Sequence, residues 1–108
     1  MPSRALPSAL VLIVTGSIRA RPDTLDQVLA LSLEHVRRSR EEPGCLLHSV
    51  LCDAEDGLRL VFVEHWEDAD ALRTHFRVPA SGAFVNQAST LAAEPPEMAI
   101  YDAQPASL

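Results

Sequence analysis

Apolar and polar positions follow a strand period between Leu58 and Trp66. Leu58, Leu60 and Phe62 fall on one side and Val61 and Val63 on the other, so both faces are apolar. A small two-layer domain covers only one face of its sheet with its own helices. The pattern therefore predicts a second cover for the other face, and a second copy of the chain would supply it.

The same reading extends in both directions. Leu10 to Ala20 reads as a first strand, with Val14 and Ile18 on one face and Ile13, Thr15, Ser17 and Arg19 on the other. Gly16 in its middle predicts a bulge or a close approach to the backbone. Arg21-Pro-Asp-Thr24 starts a helix, with Asp23 or Thr24 as cap and Asp26 near the positive end. Leu25, Val28, Leu29, Ser32, Leu33 and Val36 recur at helical spacing. Arg37, Arg38 and Arg40 sit at the carbonyl end, and Glu41-Glu-Pro-Gly44 stops the helix.

Cys45 to Asp53 and Leu58 to Trp66 read as an antiparallel hairpin around Ala54-Glu-Asp-Gly57. Its register is open to a one-residue slip, which decides the face that His48 shares. Glu67-Asp68-Ala-Asp70 opens a second helix capped by Asp68. Ala69, Leu72 and Phe76 form its stripe, with His75 beside it. Val78-Pro79 breaks it, and Ser81 is expected to cap a further segment in which Phe84, Ala88 and Leu91 are in phase. Pro95-Pro96 ends that segment, and Glu97 to Tyr101 forms a short last strand.

The order β-α-β-β-α-β is the ferredoxin-like α+β pattern, a four-stranded antiparallel sheet with helices on one face. One domain over residues 9–103 is expected, between a disordered N-terminal tail, 1–8, and a C-terminal tail, 104–108. Arg4 before Leu10-Val-Leu-Ile-Val14 has the outline of a secretory leader. Its apolar run is too short, however, and it continues without a cleavage site.

A net charge of −6 argues against nucleic acid, which needs a basic stripe, and against an anionic membrane surface. No apolar run approaches a membrane span. Cys45 and Cys52 lack CxxC spacing and read as thiols in a reducing cytoplasm.

For a metal the candidates are His35, His48, His65 and His75 with the two thiols. None has a recognised ligand spacing, and His35 is expected to face solvent, so no metal is expected. There is no GxGxxG, Walker loop or GxSxG elbow. What remains is Glu64, Trp66 and His75. Glu64 and Trp66 share a strand face, and a carboxylate there needs a partner, which His75 one helix away can be. Phe62, Phe76 and Phe84 can add apolar wall. The plainer reading keeps Trp66 as core, His75 as a helix-end residue and Glu64 as a strand tie.

The run Glu41-Glu-Pro-Gly-Cys-Leu46, followed by Val63-Glu-His-Trp66-Glu-Asp-Ala-Asp-Ala-Leu72-x-x-His75, resembles the antibiotic biosynthesis monooxygenase (ABM) family. It is similar in particular to the small quinol monooxygenases. The likeness runs from about Leu10 to Tyr101. It implies a homodimer whose sheets pack face to face, a dimeric α+β barrel. It also implies oxygenation of a small aromatic quinol or anthrone by molecular oxygen with no cofactor. By matching position, His75, Trp66 and Glu64 would be the catalytic residues, His75 as base and Glu64 as its orienting group.

Two departures matter. Many members have Pro-His after the second helix, where this chain has Pro79-Ala80. Haem-degrading relatives need a histidine near Phe84-Val85-Asn86 and an asparagine on the first strand, where this chain offers Gly16. Both absences argue against haem cleavage. The same fold also admits a non-catalytic dimer binding a hydrophobic metabolite, a purely structural dimer, or a small-molecule isomerase. The isomerase would need a basic pocket built from Arg19, Arg59 and Arg73.

Overall fold

The computed structural model describes residues 10–108; the expected tail at 1–8 lies outside them. The elements are β1 (Val11–Arg19), α1 (Leu25–Ser39), β2 (Cys45–Asp53), β3 (Asp56–Trp66), α2 (Ala69–Arg77), α3 (Pro79–Leu91) and β4 (Glu97–Ala103). The sheet is antiparallel throughout in the order β2-β3-β1-β4. This is the expected ferredoxin-like architecture. Residues after β4 take no regular structure. Among the described residues no helix is long and apolar enough to cross a membrane.

The period-two pattern decides which side of the sheet the helices cover. Val14, Ile18, Leu60, Phe62 and Trp66 are buried beneath them. On the opposite side Leu47, Leu51 and Tyr101 lie exposed, and Val61 and Val63 are half-buried. The chain thus leaves an apolar sheet face uncovered.

Register settles what the hairpin pattern left open. Irregularities between Cys45 and Leu47 and between Cys52 and Asp53 set His48 opposite Glu64. His48 therefore joins Glu64 and Trp66 on the helix-covered face. The connecting turn shortens to Ala54-Glu55, because β3 begins at Asp56. Gly16 carries no bulge; a Cβ there would meet the Glu97 carbonyl oxygen at 3.2 Å, so the glycine answers a close approach by β4.

Several local expectations fail for identifiable reasons. Thr24 does not cap α1 with its side chain. Its hydroxyl instead donates to the Leu91 carbonyl at 2.8 Å, tying α1 to the end of α3. Ser81 is not a cap either, because Pro79 already starts α3 and Ser81 lies buried inside it. Phe76 is 45% exposed while His75 is 3% exposed, so α2 is rotated by about one residue from the expected stripe. Asp68 caps α2 as expected, accepting from the Ala71 amide at 2.8 Å.

Candidate functional site

Two apolar clusters form the core. One gathers Ile18, Val28, Val36, Leu60, Phe62 and Phe84, and the other Val14, Trp66 and Leu72. Four polar side chains connect them: His35, His48, Glu64 and His75, all buried. The His35 ring stacks on Phe84 at 4.2 Å, and the His75 ring lies 4.6 Å from the Trp66 indole. The three imidazoles sit with ring centroids 5.2–5.5 Å apart.

His35 was expected to face solvent; it is 5% exposed. Val28, Ser32, His35 and Ser39 recur at helical spacing, and all four are buried. The imidazole thus belongs to the stripe that faces the sheet.

Each ring has a different set of partners. His75 Nδ1 lies 2.7 Å from Glu42 Oε1. A carboxylate only accepts, so Nδ1 carries a proton, and in the neutral ring the lone pair lies on Nε2. Glu64 Oε1 is 4.0 Å from that Nε2, so Glu42 is the nearer carboxylate of His75. Glu64 is held by the Trp66 indole, which donates to Oε1 at 2.9 Å. Arg38 Nη2 donates to His35 Nδ1 at 2.8 Å and to Ser81 Oγ at 3.1 Å. His48 Nε2 is 3.3 Å from Glu64 Oε1, yet neither His48 nitrogen has a hydrogen-bond partner among the described residues. A buried polar atom left that way costs about 1–3 kcal/mol.

Glu42 reaches His75 because its loop lies tight on α2. Gly44 has φ of +81°, and a Cβ there would sit 2.5 Å from the Ala71 Cβ. Ala71 and His75 are one turn apart on α2, so this contact places the Glu42 carboxylate alongside the imidazole. Spacing alone gave no sign of Glu42, which stands 33 residues from its partner.

The electrostatics keep one ring neutral and one carboxylate charged. Burial, then the neighbouring His48, His75 and Arg38, hold the His35 pKa down from 6.5 to about 3. Burial opposes the charge on Glu64. The adjacent His48, the indole N–H and His75 outweigh it, so the carboxyl stays below its usual range.

A cavity of about 350 Å³ opens against this cluster. His35, Glu64 and His75 line it on the cluster side, Ser17, Ser81, Ser89 and Glu97 add further polar lining, and Phe62, Phe76 and Phe84 wall it. Met98 lies at its β4 side, exposed. Trp66, expected as a wall, does not line the cavity. It is fully buried behind His75 and holds Glu64 from below.

The family model for antibiotic biosynthesis monooxygenases matches residues 11–87. The chain belongs to the ABM family. A curated relative from Synechocystis, an uncharacterised protein, is 36% identical over 90 residues. That match covers 83% of this chain and 61% of the relative, so the chain spans about three-fifths of that protein. The crystal structure of a protein named an antibiotic biosynthesis monooxygenase is 30% identical, with a TM-score of 0.80 over 87% of this chain and 99% of its own. A Mycobacterium tuberculosis protein, 22% identical, shares the fold with a TM-score of 0.83 over 91% and 99% of the two chains. The ABM match takes in Glu42, Glu64, His75 and Phe84 but stops before β4.

Proposed function

We propose that this ABM protein is a cofactor-independent monooxygenase of a quinol- or anthrone-type aromatic. The observation that carries the reading is the Glu42–His75 pair on the edge of an apolar cavity. It presents an imidazole whose proton is committed to Nδ1 and whose Nε2 lone pair is free to act as base.

Ground-state oxygen is a triplet and reacts slowly with closed-shell molecules, but an electron-rich carbanion or phenolate can pass it one electron. His75 removes a proton from the substrate. The anion and oxygen become a radical pair, which recombines to a peroxide on the substrate carbon. Loss of water, with the proton returned by His75, leaves a carbonyl. One oxygen atom ends in the product and the other in water. The protein's tasks are a base, a water-poor cavity and placement. Phe62, Phe76 and Phe84 offer flat apolar surface for a ring system.

We infer that two copies pair through the uncovered sheet face, where Leu47, Leu51, Val61, Val63 and Tyr101 lie. A cytoplasmic location goes with the free Cys45 and Cys52. The isomerase alternative finds no arginine on this cavity. Arg19 pairs with Asp56, Arg59 with Asp53 and Arg73 with Asp70, and none of the three lines the cavity.

Oxygen uptake with a panel of quinols and anthrones, in chelator-treated buffer, tests the reading. Turnover is expected, with His75→Ala lowering it at least about tenfold while the fold survives. Unchanged turnover removes His75 from the mechanism. A co-purifying ligand without oxygen uptake makes the domain a binding protein instead.

A further inference from the structure

We propose that His35, His48 and His75, with Glu64 beside them, form a binding site for one divalent transition-metal ion. The inference does not rest on the oxygenase reading. Each of the three histidines offers one ring nitrogen, and these atoms lie within 4.8 Å of one another. An ion at ordinary zinc–nitrogen distances draws tetrahedral ligands to about 3.4 Å apart, so the widest pair closes by roughly 1.4 Å.

The second observation is His48. Its side chain is fully buried; Nδ1 has no partner among the described residues, and Nε2 faces only the Glu64 carboxylate, at 3.3 Å and outside hydrogen-bond geometry. One nitrogen of a neutral imidazole always carries a lone pair, so an ion in the cluster would satisfy a group the protein leaves unmet. His48 also points toward the acid in the cluster, with Nε2 3.3 Å from Glu64 Oε1.

His75 is already arranged as a ligand. Its Nδ1–H bond to Glu42 leaves Nε2 as donor, and a carboxylate behind a histidine is a common support for metal binding. His35 needs one change. Its Nδ1 now accepts from Arg38, so ligation through Nε2 requires the proton to move to Nδ1. Arg38 then gives up that bond and keeps Ser81 Oγ.

Three imidazoles and one carboxylate suit zinc, cobalt, nickel or copper rather than magnesium or calcium, which favour all-oxygen shells. The cavity leaves a path in. An ion would occupy the same His75 Nε2 that the base mechanism uses, so ion and base exclude each other.

The test uses the full chain without an affinity tag, stripped by chelator and titrated with Co²⁺, and with Zn²⁺ against a chromophoric competitor. The expected result is one ion per chain with a visible cobalt ligand-field band, undisturbed by excess Mg²⁺. His48→Gln should weaken binding at least about tenfold, and Glu42→Gln about tenfold. His65→Gln, on the far side of the sheet, should change nothing. X-ray absorption of the zinc-loaded wild-type chain should show imidazole nitrogens, a readout independent of how the variants fold. No stoichiometric binding, wild-type affinity in His48→Gln, or a zinc shell without imidazole overturns the site. None of these outcomes touches oxygen uptake in chelator-treated buffer.

Discussion

Glu42 and His75 meet at 2.7 Å although 33 residues separate them, one on the loop after α1 and the other in the last turn of α2. The contact fixes which nitrogen of the imidazole carries the proton, and so which one faces chemistry. Glu64, the carboxylate on the strand, stands farther off at 4.0 Å and is engaged by the indole.

Glu42→Gln should therefore lower kcat about tenfold, with KM within about twofold. The base remains, but its tautomer is no longer enforced by an acceptor-only partner. Steady-state oxygen-uptake kinetics check this. An unchanged kcat would make the pair purely structural.

Gly44→Ala should destabilise the fold by about 1–3 kcal/mol, because the backbone there is left-handed and the new methyl meets Ala71. Gly57→Ala, with nothing within 4 Å, serves as the control and should stay within about 0.5 kcal/mol. Urea unfolding midpoints give both values. If the two glycines respond alike, Gly44 is not what seats the loop on α2.

Stability should fall as pH drops from about 6.5 towards about 3. The His35 pKa is about 3 in the fold against 6.5 ordinarily, so across that window the unfolded chain binds more protons and acid favours it. The depressed Glu64 carboxyl acts in the same direction; its contribution is present above 4.5 and lost on acidification through its folded value. In His35→Gln, whose amide oxygen can still accept from Arg38, the slope of stability against pH should shallow by up to about one proton. Denaturant titrations at several pH values measure it, and an unaltered slope would mean that His35 is not buried neutral.

Pairing through the open sheet face predicts a dimer in solution that Val61→Asp converts to monomer. A charge in the middle of an apolar interface is left without a partner. Sedimentation equilibrium distinguishes the two masses. A wild-type monomer would remove the proposed partner from the sheet.

The period-two pattern of β1 and β3 and the stop at Pro43-Gly44 made the strand–helix order legible in the sequence. Phe62, Phe76 and Phe84 line the cavity. These features depend on local chemistry: side-chain alternation, a missing amide hydrogen, a backbone that tolerates positive φ. Helical spacing also carried the burial of His35, which falls in phase with Val28, Ser32 and Ser39, although polarity pointed outward. Tertiary structure alone decided the rest. The β2–β3 register set His48 opposite Glu64, loop packing on α2 brought Glu42 to His75, and β3 turned Trp66 away from the cavity. Each of those depends on how distant segments slide and rotate against one another, and a single strand or helix carries no information about its neighbour's offset.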